Sequence, residues 1–264
     1  MNRLIALALC LWAATASAQE WAKARLEKSP RHHEWVTVKH GNREIQCYLT
    51  YPEVKDPATA VVVIHEIFGL TDWVRGVTDQ LAEAGYIAIA PDLLSGAAPG
   101  GGGTAELGGS DAATKAIRSL PPEQVTADLN AAMEYVKKLP SCNGKLAVAG
   151  FCWGGAQSFR FATNNKELKA AFVFYGTGPE SEQDLAKINA PVYGFYGGND
   201  NRVNSTIPKT TESMKRAEKK YEPVTYNEAG HGFMRAGEAP DANAANKMAR
   251  EEAWKRWKEL LKKI

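Results

Sequence analysis

Cysteine is scarce in this chain, and charge of one sign is nowhere concentrated in long runs. The 264 residues include four cysteines, and 32 basic residues stand against 30 acidic ones, which leaves a formal net charge of +2. So few cysteines exclude a disulfide-built scaffold. The near balance of charge disfavours a dedicated binder of nucleic acid or of anionic membranes. The length suits one large domain and is too short for two comfortable ones.

Long apolar runs are also missing. A membrane-spanning helix needs roughly 20 apolar residues, whereas the N-terminal run Leu4–Ala14 is shorter. Arg3 precedes this run and the small residues Ala16-Ser17-Ala18 follow it, which is the layout of a secretory signal peptide. The sequence thus predicts a signal peptide of residues 1–18 and a mature domain of residues 19–264. We expect this domain to be exported to the periplasm or the medium, to have no membrane anchor, and to be a monomer.

Removal of the signal peptide leaves Cys47, Cys142 and Cys152, so at least one thiol has no partner within the chain. Cys47 lies in an alternating strand pattern and is best explained as a small buried hydrophobic residue. A Cys47–Cys142 disulfide is the less favoured alternative in an oxidising compartment. No C-x-x-C pair is present, because residue 155 is glycine, and this disfavours a thiol redox protein.

Segments with strand character and segments with helix character alternate along the chain. Residues 34–51 predict a β-hairpin with its bend at Gly41-Asn42, and Ala60–Ile64 is a β-branched run typical of a strand buried on both faces. Further strands are predicted at 86–90, 145–149, 171–175, 192–196 and 224–226, and helices at 72–84, 122–139, 155–163, 181–188, 208–220 and 243–264. This alternation predicts an α/β fold with a mostly parallel central sheet, helices on both faces and an N-terminal antiparallel hairpin.

One segment, residues 95–110 (SGAAPGGGGTAELGGS), is so rich in glycine that we expect no regular element in it. It follows a predicted strand end, and ligand sites gather at such ends in α/β sheets. The sequence leaves two possibilities open for this segment, a mobile lid over a site or an irregular excursion.

A G-x-S-x-G serine motif is absent, but a cysteine stands in the corresponding pattern. Gly150-Phe151-Cys152-Trp153-Gly154-Gly155 follows the predicted strand 145–149 and opens a predicted helix, which is the context of a nucleophile elbow. Gly150 and Gly154 would let the strand and helix backbones approach closely. The helix N-terminus favours a negatively charged Cys152 sulfur, and the Trp153 N–H is placed to stabilise a substrate oxyanion. We therefore expect Cys152 to be a nucleophile and not a buried structural cysteine.

A thiol nucleophile needs a base, and the base needs a carboxylate that orients it. In proteins with such an elbow the order along the chain is nucleophile, acid, histidine. His231 is the only histidine after Cys152, and it lies in a glycine-flanked loop beyond the predicted strand 224–226. Asp200 follows the predicted strand 192–196 and its glycine turn. We expect these residues to form a Cys152–His231–Asp200 triad.

The loop after the buried strand 60–64 has the sequence His65-Glu66-Ile67-Phe68-Gly69. A loop at this place supplies the second oxyanion N–H, and we assign that N–H to Ile67. Glu66 would then stand beside the Cys152 thiol, where a carboxylate could take up the thiol proton. His65 is expected to be packed or hydrogen-bonded within the loop.

Five short motifs together resemble those of the dienelactone hydrolase family. They are HEIFG at 65–69, PDL at 91–93, GFCWGG at 150–155, GGND at 197–200 and AGHGFMR at 229–235. Their number, order and spacing make chance coincidence a poor explanation. The resemblance implies an α/β-hydrolase fold, with Cys152 as the nucleophile, Asp200 as the acid and His231 as the base.

The same resemblance implies the remaining roles. Glu66 would be the active-site glutamate of the family, and Arg235 one of the arginines that hold a substrate carboxylate. Arg118 is the candidate for a second such arginine. The implied activity is hydrolysis of a small-molecule carboxylic ester or lactone, as in a carboxymethylenebutenolidase, with no cofactor and no metal. The alternatives are a thioesterase or broad carboxylesterase on the same triad, and a non-catalytic binding protein that kept the fold.

Overall fold

A central eight-stranded sheet organises residues 19–264, the part of the chain that the computed structural model describes. The predicted signal peptide, residues 1–18, lies outside the described residues. The strands in chain order are β1 (His33–His40), β2 (Arg43–Thr50), β3 (Ala58–Ile64), β4 (Ile87–Pro91), β5 (Cys142–Phe151), β6 (Ala170–Phe174), β7 (Val192–Gly197) and β8 (Tyr221–Tyr226).

Ten α-helices accompany these strands in residues 19–264. They are α1 (Glu20–Glu27), α2 (Asp72–Glu83), α3 (Ser110–Arg118), α4 (Pro122–Lys137), α5 (Trp153–Asn164), α6 (Glu182–Leu185), α7 (Asn201–Asn204), α8 (Ile207–Arg216), α9 (Phe233–Ala236) and α10 (Ala244–Leu261). Within the described range, none of these helices has the length and apolar character needed to cross a bilayer.

The strand order across the sheet is β1-β2-β4-β3-β5-β6-β7-β8. The β1–β2 and β2–β4 pairs are antiparallel, and every other neighbouring pair is parallel. The predicted fold class, a mostly parallel sheet opened by an antiparallel hairpin, is therefore confirmed. Because parallel strands end at the same edge, the loops that follow β3, β5, β6, β7 and β8 meet there.

Alternate residues of the central strands contribute to two apolar layers, one on each face of the sheet. Val62 of β3 lies in one layer and its neighbour Val63 lies in the other, as the two-residue period of a strand requires. Helices α4 and α8 cover the first layer, and helices α1, α2 and α10 cover the second. The last helix packs on the second layer, since Trp257 and Leu261 are buried and Trp254 packs against the same layer.

Four short helices, α1, α3, α7 and α9, were not predicted. The longest of them, α3, has nine residues, and segments this short show too little periodicity to be recognised. The predicted helix 181–188 is also shorter than expected. It consists of the single turn α6, in which the Ser181 side chain accepts a hydrogen bond from the Asp184 N–H.

The prediction that residues 95–110 contain no regular element is wrong. The segment includes two single-turn 3-10 helices, Pro99–Gly101 and Thr104–Leu107. The Asp92 carboxylate holds the second turn, because it accepts hydrogen bonds from the Thr104 N–H and the Thr104 hydroxyl at 2.7 Å each. Glycine content alone gives no sign of this contact, since the acceptor lies outside the segment.

The alternative of a Cys47–Cys142 disulfide is also wrong. Cys47, Cys142 and Cys152 are all free thiols. Cys47 pairs with Pro91 at the carboxyl end of β4, whereas Cys142 begins β5 opposite Ala58 at the other edge of the sheet. Cys47 is fully buried, as expected for a small hydrophobic residue.

Candidate active site

Cys152 occupies a sharp turn between β5 and α5. Its backbone has φ 58° and ψ −116°, a positive φ that is strained for a residue with a side chain. Such strain costs about 1–3 kcal/mol and persists where the surroundings hold it. One restraint is the hydrogen bond from the Cys152 N–H to the Phe174 carbonyl at 3.0 Å, which ties the turn to β6.

The glycines around Cys152 are required by close backbone contacts. A Cβ on Gly150 would lie 1.9 Å from the Gly154 carbonyl oxygen, and a Cβ on Gly154 would lie 2.3 Å from the His65 carbonyl oxygen. Gly155 is equally confined, since its Cβ would lie 2.4 Å from the Phe174 carbonyl oxygen. The predicted close approach of strand and helix at Gly150 and Gly154 is therefore confirmed, and any larger residue would force the turn apart.

The structure brings the three predicted triad residues into one hydrogen-bonded row. The Cys152 sulfur lies 3.1 Å from His231 Nε2, and His231 Nδ1 lies 2.5 Å from Asp200 Oδ2. Asp200 is 7% exposed and follows β7 at the N-terminus of α7. Its second oxygen accepts a hydrogen bond from the Val203 N–H at 3.3 Å, which fixes the carboxylate toward His231.

The surroundings of His231 favour its protonated form. The hydrogen bond to Cys152 is the largest cause, and together with the Asp200 carboxylate it raises the pKa of His231 to about 9 in spite of partial burial. The row therefore suits a protonated imidazole that lies between the Cys152 sulfur and the Asp200 carboxyl group. Such a row can deliver a proton from Nε2 to a group bound beside the sulfur.

Glu66 and Arg235 form an ion pair at the same edge of the sheet. The Arg235 Nε donates to Glu66 Oε2 at 2.7 Å, and the Glu66 side chain is almost completely buried. Burial raises the pKa of Glu66, and Arg235 offsets this effect only in part. Among the described residues, the Glu66 carboxylate accepts its hydrogen bond from Arg235 and makes none with the Cys152 thiol. Glu66 thus lies in the site, with its carboxylate paired to Arg235.

Two backbone N–H groups at the elbow, those of Ile67 and Trp153, have no hydrogen-bond partner within residues 19–264. Trp153 directly follows Cys152. Ile67 belongs to the loop that begins against α5, and its side chain shares an apolar cluster with the side chain of Trp153. Unpaired N–H groups are the donors that an oxyanion needs. The structure therefore brings both predicted oxyanion residues to the Cys152 turn.

The other two predicted residues differ in their surroundings. His65 is fully buried, stacks on the Trp153 ring at 5.6 Å and hydrogen-bonds the Glu66 carbonyl at 2.8 Å, as expected for a packed loop histidine. Arg118 is exposed at the last residue of α3 and makes no hydrogen bond or ion pair within the part of the chain that the structure describes. The structure thus gives Arg118 no contact with the triad.

Tyr175 is a residue of this site that no sequence motif indicated. It follows β6 with a positive φ of 41°, it is 1% exposed, and its ring lies 5.1 Å from the His231 ring. Its hydroxyl has no hydrogen-bond partner among the described residues, and burial raises the pKa of that hydroxyl well above its ordinary value. The available signal was its position at the carboxyl end of a predicted parallel strand, where site residues gather.

No group of three or more His, Cys, Asp or Glu side chains in residues 19–264 is arranged to hold a metal ion. The chemistry at the elbow can be derived from its own groups. They are the Cys152 sulfur, the His231 imidazole, the buried Asp200 carboxylate behind it, and the N–H groups of Trp153 and Ile67, which have no partner within residues 19–264.

Comparisons with known proteins agree with this geometry. Residues 45–264 match the model of the dienelactone hydrolase family. A relative from Escherichia coli, which carries the provisional name carboxymethylenebutenolidase, is 32% identical over 249 residues. The alignment covers 86% of this chain and 86% of the relative. A crystal structure from Klebsiella pneumoniae, described provisionally as a dienelactone hydrolase, gives a TM-score of 0.76 at 26% identity and covers 89% of this chain and 99% of its own.

A second solved structure shows the same fold at lower identity. The dienelactone hydrolase from Anabaena variabilis gives a TM-score of 0.63 at 19% identity, covering 84% of this chain and 96% of that one. The family match spans most of the chain, and the E. coli relative aligns along most of both lengths. The chain is therefore a hydrolase with the α/β-hydrolase fold, and it belongs to the dienelactone hydrolase family.

Proposed function

We propose that this hydrolase cleaves a carboxylic ester or lactone, with Cys152 as the nucleophile, His231 as the acid and base, and Asp200 as the residue that orients His231. The observation that carries the proposal is the row from the Cys152 sulfur through His231 to Asp200, with contacts of 3.1 Å and 2.5 Å. The unpaired N–H groups of Trp153 and Ile67 support it, because acyl transfer needs donors for the developing oxyanion.

The first step is attack of the Cys152 thiolate on the ester carbonyl carbon. A carbon–sulfur bond forms and the carbonyl electron pair moves onto oxygen, which the Trp153 and Ile67 N–H groups stabilise. When the carbonyl re-forms, the bond to the alcohol oxygen breaks and His231 Nε2 gives its proton to that oxygen. The products of this half-reaction are an alcohol and a thioester on Cys152.

The second step returns the enzyme to its starting state. His231, now neutral, takes a proton from a water molecule, which attacks the thioester carbonyl. The tetrahedral intermediate again uses the two N–H groups, and its collapse releases the acid and the Cys152 thiolate. Asp200 holds the Nδ1–H of His231 throughout, so that Nε2 faces the reacting atoms in both steps.

Arg235 suits a substrate that carries a carboxylate near the scissile bond. Its guanidinium is about one-third exposed while it pairs with the buried Glu66. A substrate carboxylate that binds Arg235 would compete with Glu66 and displace it. Burial raises the pKa of Glu66, so the displaced carboxylate is suited to take up a proton within the site.

The test is steady-state hydrolysis of lactones, aryl esters and thioesters by wild type, Cys152→Ala and Cys142→Ala. Cys142 is a matched control, because it is another free thiol that lies at the opposite edge of the sheet. We expect turnover in wild type and in Cys142→Ala and none above background in Cys152→Ala. Full activity of Cys152→Ala would contradict the proposal, and a strong preference for thioesters would assign the triad to a thioesterase.

We also propose export of the mature domain, on the layout of residues 1–18 alone. Expression of the full chain in a Gram-negative bacterium, followed by fractionation and N-terminal sequencing, tests this location. We expect periplasmic protein that begins at Gln19. Cytoplasmic protein that retains residues 1–18 would contradict it.

A further inference from the structure

The segment between β4 and α4 makes several contacts with the loop that carries Ile67. Asp92, which is 5% exposed, directly follows β4 and begins this segment. Its carboxylate accepts hydrogen bonds from the Leu94 N–H at 3.1 Å and from the N–H and hydroxyl of Thr104 at 2.7 Å each. Three donors on one buried carboxylate fix the Thr104 side chain in a single orientation.

Thr104 passes this restraint on to the loop after β3. Its hydroxyl oxygen accepts a hydrogen bond from the Leu70 N–H at 3.0 Å. Leu70 directly follows the turn from Glu66 to Gly69, which the Gly69 N–H closes onto the Glu66 carbonyl at 3.2 Å. Ile67 lies inside that turn, so the hydroxyl of Thr104 anchors the downstream end of the turn that presents the Ile67 N–H.

Two glycines owe their identity to this contact. A Cβ on Gly69 would lie 2.3 Å from the Thr104 hydroxyl oxygen, and a Cβ on Gly103 would lie 2.3 Å from Asp92 Oδ2. The packing is therefore too close for a side chain at either position, between loop and segment at Gly69 and within the segment at Gly103. Part of its glycine content serves close contact and not mobility.

A second contact comes from α3, the helix that ends the segment. The Thr114 hydroxyl donates to the Ile67 carbonyl at 3.3 Å. Ala113 and Ile117 of α3 are buried in the apolar cluster that includes the Ile67 and Trp153 side chains. The segment thus touches the Ile67 turn at its middle as well as at its end.

His65 holds the start of the same turn from the other side. Its Nδ1–H donates to the Glu66 carbonyl at 2.8 Å, and its Nε2 accepts from the Leu93 N–H at 3.3 Å. Complete burial lowers the pKa of His65, which agrees with a neutral ring that donates at one nitrogen and accepts at the other. The turn is therefore restrained at its start, middle and end.

We propose that residues 95–118 act as a strap that fixes the oxyanion-binding turn, and that Thr104 is the positioning residue through which the strap acts. This inference rests on the proposed ester hydrolysis, because it assigns the Ile67 N–H to the oxyanion. Thr104 acts through the Leu70 N–H and does not contact the reacting atoms. A turn that shifts by a fraction of an ångström would weaken the bond to the oxyanion and leave the Cys152 sulfur in place.

The experiment compares Thr104→Val with Thr104→Ser and with Thr126→Val. Valine keeps the shape of Thr104 but removes both bonds of the hydroxyl, whereas serine retains a hydroxyl. Thr126 is a matched control in α4, since its hydroxyl also donates one bond, to Pro122, and accepts one, from Arg160. Four quantities are measured for each variant: kcat and KM for an aryl ester, the inhibition constant of a trifluoromethyl ketone, and the rate at which iodoacetamide alkylates Cys152.

Alkylation at a saturated carbon forms no oxyanion, so it reports on the nucleophile alone. We expect Thr104→Val to lower kcat about tenfold or more and to raise the inhibition constant of the ketone by a similar factor. The alkylation rate and KM should change little. Thr104→Ser should recover activity to within about threefold of wild type, and Thr126→Val should match wild type in all four quantities. Unchanged ester turnover in Thr104→Val, or equal losses of turnover and alkylation, would overturn the inference.

Thr114→Val offers a second route should Thr104→Val fail to fold. It removes the bond to the Ile67 carbonyl, and we expect the same separation of turnover from alkylation with a smaller loss. Equal losses of the two rates would overturn the inference here as well.

Cys152→Ala in the same assay separates the two proposals. Wild-type turnover that does not depend on Cys152 would contradict the proposed function, whereas Cys152-dependent turnover that neither threonine affects would contradict the strap alone.

Discussion

The two sides of the active site are held in different ways. On the elbow side, Cys152 is fixed by backbone contacts among β5, α5 and β6, which leave no space for a Cβ at Gly150 or Gly154. On the facing side, the turn from Glu66 to Gly69 is held by the side chains of His65 and Thr104. Backbone contacts on the first side depend on which residues lack a side chain. Hydrogen bonds on the second side depend on which polar groups meet from distant parts of the chain.

In the proposed mechanism, this difference separates the placement of the nucleophile from the stabilisation of the substrate oxyanion. A change in the elbow alters the backbone and removes both functions at once. A change in the facing loop can alter the oxyanion contact or the choice of substrate while the Cys152–His231 contact is preserved. The predictions below test that separation, beginning with the largest expected effect.

Gly154→Ala should have the largest effect. The new Cβ would lie 2.3 Å from the His65 carbonyl oxygen, so strand and helix must separate at the elbow. We expect ester turnover as low as that of Cys152→Ala, measured as kcat/KM together with circular dichroism. Gly76→Ala is the control, because a Cβ there has nothing within 4 Å and alanine is the better helix former. Equal activity of the two variants would refute the view that backbone contact fixes the nucleophile.

Asp200→Asn should have the next largest effect and act on the elbow side alone. An amide can present its NH₂ group to His231 Nδ1 and so favour the wrong tautomer, and we expect kcat to fall by about 10²–10⁴-fold. Asp184→Asn, at an exposed acid paired with Lys187, should match wild type. Kinetics on one aryl ester measure both variants. Full activity of Asp200→Asn would remove Asp200 from the proposed mechanism.

Arg235→Gln should alter selectivity and not the chemistry. The variant loses the guanidinium that would bind a substrate carboxylate, so we expect KM to rise about tenfold for a carboxylate-bearing lactone and little for a neutral ester. Arg235→Gln alone leaves the buried Glu66 carboxylate without its ion-pair partner. The double variant Glu66→Gln with Arg235→Gln removes that charge as well. The same rise of KM for both substrates would show that Arg235 is a structural residue and not a substrate-binding one.

The pH dependence of kcat/KM tests the charge state of His231. Its pKa of about 9 lies above the ordinary 6.5, chiefly because of Cys152. The resulting contribution to folding stability is therefore complete below pH 6.5 and is lost as the pH rises through 9. Because His231 donates the proton to the leaving group in the proposed mechanism, we expect kcat/KM to fall about tenfold per pH unit above this value. A profile that stays flat to pH 11 would contradict the assignment.

Tyr175→Phe should have the smallest effect on stability. The ring contact with His231 is retained, and a buried hydroxyl with no partner among residues 19–264 is removed. We expect the free energy of unfolding to be unchanged or raised by up to about 1 kcal/mol, measured by urea denaturation. A loss of stability of that size would show that the hydroxyl has a partner in solution. The accompanying change in kcat would reveal whether the hydroxyl also contributes to the reaction.

The elbow could be predicted from the sequence because its requirements are local. Glycines at 150 and 154 around Cys152, placed between a strand pattern and a helix pattern, already describe the turn. Asp200 and His231 could be placed because the carboxyl ends of parallel strands meet at one edge, so two loop residues far apart in sequence approach each other. The alternation of strand and helix patterns along the chain likewise predicted a mostly parallel sheet.

The facing side could not be predicted in this way. The bond from Leu70 to Thr104 joins positions 34 residues apart, and a glycine-rich composition suggested irregular backbone where the Asp92 carboxylate holds a turn. The pairing of Glu66 with Arg235 joins positions 169 residues apart. Such contacts depend on the three-dimensional meeting of single polar groups, for which short-range patterns carry no signal. A place for Tyr175 in the site could not be predicted either, because an aromatic residue is ordinary in a strand pattern.

The most direct test of the central claim is identification of the acylated residue. Wild-type enzyme is mixed with an excess of an aryl ester and quenched in acid during turnover, and its peptides are mapped by mass spectrometry. The account predicts an acyl group on the peptide that contains Cys152, with Cys47 and Cys142 unmodified. An acyl group on another residue would contradict the account. So would turnover without an acyl group on Cys152, when the experiment is repeated under conditions that slow hydrolysis of the thioester.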